Sequence, residues 1–212
     1  MLTVVGMGPA GLQWLIPAAR EAIAAAEALV GGSRHLQQFP DFAGERFALG
    51  ADMPALTKAD VIAGFDALHR LDDVEGRRVV VLASGDPLFY GIGTRLIAHF
   101  GRERVQVIPG ISAVQYLCAR AGIDMNDMWL TSSHGRAVSF DALAAHRKVA
   151  MVTDGRCGPR EIAAQLMARG KGHRWMVIGE NLAMENERIH WLPVSAVEDE
   201  YEMNAVVILD ER

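Results

Sequence analysis

The segment Leu82–Gly93, LASGDPLFYGIG, joins a run of three valines to a predicted helix. Its Gly85-Asp86-Pro87 turn follows a strand, and ligands of parallel sheets bind beyond the carboxyl ends of the strands. Gly85 permits close approach to the main chain, and Pro87 holds Asp86 extended so that its carbonyl and carboxylate are exposed. A loop with these acceptors and this negative charge suits a cationic, donor-rich ligand such as an ammonium or sulfonium, not a phosphate.

A second special loop closes the next strand along the chain. This loop reads Pro109-Gly110-Ile111-Ser112-Ala113, and we expect it at the same sheet edge as Gly85. Ser112 either caps the helix that follows or lines a binding site. Two neighbouring strand ends with special loops favour a site more than either loop alone.

A third loop, Gly6–Gly11, reads GMGPAG and fits the G-x-G-x-x-G pattern after a first strand. A dinucleotide site also needs an acid at the end of the second strand, to hold the ribose. That strand ends in Val30-Gly31-Gly32-Ser33 with no acid, and Pro9 lacks an amide N–H that a pyrophosphate would use. A plain tight turn or a different cofactor are therefore the favoured interpretations, and a dinucleotide is the least favoured.

Strands and helices alternate along the chain, which predicts an α/β protein with a parallel sheet in its first half. The second half ends with two strands that no helix-length spacer separates, so we expect an antiparallel pair there and a mixed sheet. We predict two domains, an N-terminal one at residues 1–112 and a C-terminal one at 113–212. The predicted strands are 2–5, 28–30, 78–83, 105–108, 128–131, 149–153, 175–178, 188–191 and 205–209, and the predicted helices are 18–29, 53–71, 94–100, 111–121 and 159–169.

The composition excludes several classes of protein. The 212 residues carry a net charge of −5 without a long basic run, which argues against a nucleic-acid binder, whose affinity depends on clustered Lys and Arg. No apolar run reaches the length of a membrane span, and the N-terminus does not resemble a signal peptide. Two cysteines are too few for a disulfide framework. We expect a cytoplasmic protein that has no metal site and binds neither nucleic acid nor membrane.

Four segments, in order along essentially the whole chain, read GMGPAG, SGDPLFYGIG, PGISAVQYLCARAG and IGENLAMENERI. On these segments the chain resembles the tetrapyrrole methylase family of S-adenosylmethionine-dependent enzymes. The GGSRHL stretch at Gly31–Leu36 and the GDPLFYGIG form are similar to the branch that methylates C5 of precorrin-7 or cobalt-precorrin-7 in cobalamin synthesis. The same domain forms the N-terminal half of a fused precorrin-6Y C5,15-methyltransferase.

The resemblance implies two α/β domains with the active site in the cleft between them and S-adenosylmethionine as the cofactor. It implies a homodimer and, for the fused relatives, a decarboxylating C15-methyltransferase as a separate partner or as a missing C-terminal domain. The cofactor contacts that it implies are Pro9, Gly85, Asp86, Leu88, Ser112, Ala113, Thr153 and Leu182.

A precorrin carries many carboxylates, which an acidic protein must hold with local cations. We expect Arg34, His35, Arg136 and Arg156 to bind this substrate, because they lie in turns or loops and arginine suits bidentate carboxylate contacts; solvated surface arginines are the alternative. His134 is the candidate proton relay, or it only forms a local hydrogen bond. Other interpretations are a methylase of the same fold that acts at another tetrapyrrole position, on rRNA or on protein, and a non-catalytic binding module.

Overall fold

A computed structural model of the chain describes residues 2–49, 76–198 and 200–212. The predicted helix at 53–71 lies outside the described residues. The chain divides into two compact units, Met1–Ser112 and Ala113–Arg212, and each is described by itself.

The first unit contains a five-stranded sheet with the order β3-β2-β4-β1-β5, in which every neighbouring pair is parallel. All five residues of β4 are buried, as expected for a strand that is covered on both faces. The parallel sheet predicted for the first half is confirmed. The elements are β1 Leu2–Gly6, α1 Pro17–Ala24, β2 Ala28–Gly32, α2 Ser33–Leu36, β3 Glu45–Leu49, β4 Val79–Ala83, α3 Gly93–Phe100 and β5 Val105–Ile108.

The second unit contains a mixed five-stranded sheet with the order β6-β7-β10-β8-β9. Only β6 and β7 pair in parallel, and the other three pairs are antiparallel. The mixed sheet predicted for the second half is thereby confirmed. The elements are α4 Ala113–Ala121, β6 Trp129–Ser132, α5 Phe140–Ala145, β7 Lys148–Val152, α6 Pro159–Met167, β8 Trp175–Glu180, β9 Arg188–Pro193 and β10 Asn204–Leu209.

Apolar clusters cover both faces of the first sheet. Val4, Val81 and Leu96 belong to the cluster on one face, and Val5 and Leu82 belong to the cluster on the other. Successive residues of a strand point to opposite faces, so the unbroken apolar runs supply both clusters. The packed sheet therefore fixes the ends of its strands, and each loop that follows a strand starts from a fixed position.

Some predicted boundaries and one strand pairing are wrong. The first helix ends at Ala24, well before the predicted residue 29, because Ala28 already belongs to β2. The two last strands are each antiparallel to a neighbour, but they do not pair with each other, since β8 lies between them. The short helices α2 and α5 and the edge strand β3 were not predicted.

Candidate functional site

Three glycines meet where β4, β1 and β5 end, at the carboxyl edge of the first sheet. A Cβ atom added to Gly110 would lie 2.2 Å from the carbonyl oxygen of Gly85, and one added to Gly6 would lie 2.4 Å from the amide nitrogen of Gly110. Each of these distances is far shorter than a van der Waals contact. Gly6 and Gly110 are therefore needed so that the three loops can pack backbone against backbone.

The first glycine loop is joined to the Gly85 loop by a pair of main-chain hydrogen bonds. The amide of Gly8 donates to the carbonyl of Gly85 at 3.2 Å, and the amide of Gly85 donates to the carbonyl of Gly8 at 3.0 Å. A pyrophosphate cradle needs such amides to point at the ligand, whereas this Gly8 amide is already used. Pro9, which follows directly, has no amide hydrogen to offer. The loop is thus unsuited to a dinucleotide phosphate.

The carboxylate of Asp86 organises its own loop. Its Oδ1 accepts hydrogen bonds from the amides of Leu88 at 2.8 Å and Phe89 at 3.2 Å, and its Oδ2 accepts one from the amide of Gly110 at 3.2 Å. The expectation of an open carboxylate for a cationic ligand therefore differs from the structure. Asp86 links the loop after β4 to the loop after β5, and it shapes the position at which a ligand would meet the backbone.

The two later glycines of this segment close the turn around Pro87. The amide of Gly93 donates to the carbonyl of Pro87 at 2.9 Å, and a Cβ atom at Gly91 would lie 2.6 Å from that same oxygen. The tight turn leaves Leu88 51% exposed. A large apolar side chain is thus exposed in the same loop as Gly85, where it can contact an apolar or aromatic part of a ligand.

Two of the predicted substrate residues, Arg34 and His35, converge on one hydroxyl. Both belong to α2, directly after β2, and both contact Ser84, the residue before Gly85. The Arg34 Nη2 lies 3.5 Å from the Ser84 Oγ, and the His35 Nε2 lies 3.3 Å from it. Burial, and after it the charge of Arg34, lower the pKa of His35 to about 4. At neutral pH His35 is therefore an uncharged hydrogen-bonding group beside an exposed guanidinium.

The remaining predicted cofactor residues of the first loops lie at the boundary of the two units. Ser112 is buried, and α4 begins at Ala113, the next residue. The predicted helix start at residue 111 was two residues early. Ser112 and Ala113 follow Gly110 after one intervening residue, Ile111, so they are close along the chain to the three-glycine contact.

In the second unit, Asp154 joins the loops after β6 and β7. Its Oδ2 accepts from the amide of Gly135 at 3.0 Å, and its Oδ1 accepts from the amides of Arg156 at 3.0 Å and Cys157 at 3.1 Å. Burial by itself would raise the pKa of Asp154, but these backbone donors bring it below its usual value. Asp154 is thus an ionised anchor that holds two loops together.

These loops carry three of the residues that the sequence singled out. His134, Arg136 and Arg156 are all exposed, and the backbone amide of His134 donates to the Ser132 Oγ at 3.0 Å. Because β6 and β7 are parallel neighbours, the loops after them share one edge of the second sheet. The structure therefore gathers two arginines and a histidine at that edge, where a carboxylate-rich ligand could be held.

Thr153 and Leu182 occupy the same edge of the second sheet. The Thr153 hydroxyl donates to the backbone carbonyl of Asn204 at 3.0 Å and lies 2.6 Å from the Asn204 Oδ1. Leu182 follows β8 and is only 5% exposed. The sequence predicted these two positions as cofactor contacts. It did not single out Ser84, Asp154 and Glu187, whose side chains hold the surrounding loops in place. Their only signal in the sequence is their place within the segments SGDP, TDGR and ENLAMENER.

The described part of the chain contains neither a metal-binding group of side chains nor a membrane-spanning helix. Among residues 2–49, 76–198 and 200–212, no group of three or more His, Cys, Asp or Glu side chains is arranged to hold a metal ion. Within the same residues, no helix has the length and apolar character needed to cross a bilayer.

Comparison with known proteins identifies relatives of the whole chain. A family model, Tetrapyrrole (Corrin/Porphyrin) Methylases, matches residues 1–197. The chain is 73% identical to the cobalt-precorrin-7 C(5)-methyltransferase of Salmonella typhimurium, over the full length of both proteins. It is 31% identical to the decarboxylating precorrin-6Y C(5,15)-methyltransferase of a Sinorhizobium species, a match that spans 89% of this chain and 44% of that protein.

A solved structure shares the fold. The uroporphyrin-III C-methyltransferase from Thermus thermophilus, in complex with S-adenosylhomocysteine, superposes with a TM-score of 0.76 and 17% identity. The superposition covers 98% of this chain and 96% of that one. The two α/β units described above are therefore those of a known class of structures.

Proposed function

The chain belongs to the tetrapyrrole methylase family, and from this premise we propose that it methylates C5 of cobalt-precorrin-7 or precorrin-7 in cobalamin biosynthesis. One observation carries the proposal, the 73% identity over full length to a cobalt-precorrin-7 C(5)-methyltransferase. The proposed methyl donor is S-adenosylmethionine, the product form of which is bound in the structurally similar uroporphyrin-III enzyme.

The chemistry of the first sheet edge fits this donor better than a dinucleotide. The Gly8 amide is used within the protein, so the loop holds no phosphate cradle, and S-adenosylmethionine contains no phosphate. The exposed Leu88 offers an apolar contact in the loop that also contains Gly85. We propose that the cofactor is held by Pro9, Gly85, Asp86, Leu88, Ser112, Ala113, Thr153 and Leu182.

The protein contributes to methyl transfer mainly by aligning the methyl donor with the ring carbon. The sulfonium of the donor supplies an activated methyl group, and an electron-rich ring carbon is the nucleophile. Correct positioning of the two is worth about 7–11 kcal/mol in well-oriented reactions. Asp86 and Asp154 each accept hydrogen bonds from three loop amides, six in all, and these bonds support rigid loops. Replacement of the C5 hydrogen releases a proton, for which His134 is the proposed acceptor.

The proposed substrate contacts are Arg34, His35, Arg136 and Arg156. Arg34, Arg136 and Arg156 are exposed, and each guanidinium can pair with a carboxylate through two parallel hydrogen bonds. The proposal includes a homodimer, a cytoplasmic location and division into domains at residues 1–112 and 113–212. It also includes a decarboxylating C15-methyltransferase as a partner, because the name of the fused relative joins methylation at C5 and C15.

The test is an incubation of the purified protein with S-adenosylmethionine and either cobalt-precorrin-7 or precorrin-7, followed by mass analysis. The expected result is the gain of one methyl group, with preference for the cobalt form, and a reversed preference would assign the metal-free substrate. An Arg34→Ala variant should lose about ten- to a hundredfold in substrate affinity, as expected for a charge-assisted pair, with cofactor affinity unchanged. Failure to methylate either substrate would contradict the proposal.

A further inference from the structure

The loop from Asn181 to Glu187 after β8 has an unusual backbone. Asn181 and Ala183 adopt positive φ angles of 50° and 63°, on either side of Leu182. An alanine pays a steric cost in this left-handed region, and such residues persist only where the surrounding structure enforces them. The loop is thus held in a conformation that its own sequence does not favour.

Two carboxylates enforce that conformation. The Glu187 Oε2 accepts a hydrogen bond from the amide of Ala183 at 2.6 Å. The side-chain amide of Asn181 donates a hydrogen bond to the carboxylate of Glu202. The backbone amide of Asn181 donates to the backbone carbonyl of Met203 at 2.9 Å. Each strained residue therefore has its own acidic partner, one within the loop and one on the segment before β10.

The second oxygen of Glu187 connects the loop to helix α4. Its Oε1 accepts from the Arg120 Nε at 2.8 Å, and the Tyr116 hydroxyl forms a further hydrogen bond with the same carboxylate. In this ion pair the Glu187 side chain is only 13% exposed, whereas the Arg120 side chain is 56% exposed, so the carboxylate is the member that is better shielded from water. Helix α4 begins at Ala113, one of the proposed cofactor contacts.

Apolar packing supports the same junction. A Cβ atom at Gly179 would lie 2.6 Å from the Leu182 Cδ2 and 2.7 Å from the Leu117 Cδ1. Leu182 and Leu117 therefore both pack over the bare backbone of Gly179, and the loop rests directly on α4. The hydrogen bonds of Glu187 to Ala183 and Arg120 join the same loop and helix through polar contacts.

We propose that Glu187 is a positioning residue for the cofactor, because its carboxylate fixes the Leu182 loop against α4, the helix whose first residue is Ala113. This inference rests on the proposed function, in which Leu182 and Ala113 both contact S-adenosylmethionine. A ligand that touches both segments binds tightly only when their spacing is set before it arrives. Glu187 does not need to touch the cofactor for this effect.

The test compares dissociation constants for S-adenosylhomocysteine, measured by calorimetry on the full chain. Glu187→Gln keeps one acceptor but loses the ion pair with Arg120, and we expect about three- to tenfold weaker binding. Tyr116→Phe removes one of the hydrogen bonds and should weaken binding in the same direction by a smaller factor. Glu185→Gln is the matched control, since Glu185 is exposed in the same loop, and it should bind as the wild type does.

A purely structural role makes a different prediction. Glu187→Gln would then lower the unfolding temperature and leave the dissociation constant of the folded protein unchanged, which would overturn the inference. In steady state, a positioning role raises KM for S-adenosylmethionine and leaves kcat at saturating cofactor nearly unchanged. If Glu187→Gln does not fold, unchanged binding by Tyr116→Phe overturns the inference. Absence of binding by the wild type would instead reject the proposed function itself.

Discussion

At the scale of single residues, His35 combines burial with a position beside the proposed substrate site. Burial, and secondarily the charge of Arg34, lower its pKa from 6.5 to about 4. The unfolded chain binds a proton at this imidazole between those pH values, and the folded chain does not. The stability contributed by the neutral imidazole is therefore complete above about pH 6.5 and is lost as the pH falls toward 4.

This linkage gives a measurable pH dependence. Between about pH 7.5 and pH 5, the free energy of unfolding should fall by about 2 kcal/mol on account of His35 alone, since one pH unit corresponds to about 1.4 kcal/mol. Urea titrations at both pH values measure the loss. A His35→Gln variant lacks the titrating group and should lose correspondingly less. An equal loss in the two proteins would show that His35 is not the titrating group.

The residues that the sequence did not reveal share a physical property. Ser84, Asp154 and Glu187 act through hydrogen bonds to distant parts of the chain, such as that from Ser84 to His35, 49 positions away. Glycine-rich loops, in contrast, can be recognised from their composition, because few residues other than glycine adopt the backbone conformations of such loops. The sequence therefore predicted where the loops lie, but it could not predict which side chains hold them.

At the scale of elements, the three-glycine contact determines how the loops after β1, β4 and β5 pack. Gly110→Ala would place a Cβ atom 2.2 Å from the Gly85 carbonyl oxygen. We expect it to lower the free energy of unfolding by about 1–3 kcal/mol, as overpacking does. Gly32→Ala is the control, because a Cβ atom there meets nothing within 4 Å and the φ of Gly32 is −62°. Urea titrations of the two variants test the difference, and equal stabilities would contradict this account.

The elements themselves were predictable to different degrees. Continuous apolar runs such as Val79–Ala83 predicted buried parallel strands correctly, because a short run rich in valine and followed by a glycine turn suits a strand with two buried faces. The strand β3 was missed, since Glu45 and Arg46 are exposed and an edge strand needs no apolar pattern. The partner of β10 was misassigned because β8 inserts between β9 and β10, an order that no local signal in the sequence specifies.

At the scale of the whole molecule, net charge and local charge have opposite signs where the proposed substrate would bind. The chain carries a net charge of −5, yet Arg34, Arg136 and Arg156 are exposed at strand edges of their own units. Long-range repulsion between exposed charges is screened within about 8–10 Å at physiological salt. Each exposed guanidinium group can therefore bind a carboxylate in spite of the overall charge.

The identity of the cofactor is the property of the whole molecule that the proposal most depends on. S-adenosylhomocysteine at about a hundred times its dissociation constant should raise the melting temperature by about 5–10 °C, because it binds only the folded protein. NAD should give no shift, since the Gly8 amide is bonded to Gly85. Leu88→Ser should reduce the shift, because the exposed Leu88 belongs to the proposed cofactor loop. Met167→Ser is the control of similar exposure, 49% against 51%, at the C-terminal end of α6, which is not part of the proposed site. The measurement is the melting temperature of each protein with each ligand. A rise in melting temperature with NAD, or an equal effect of both substitutions, would contradict the proposed cofactor site.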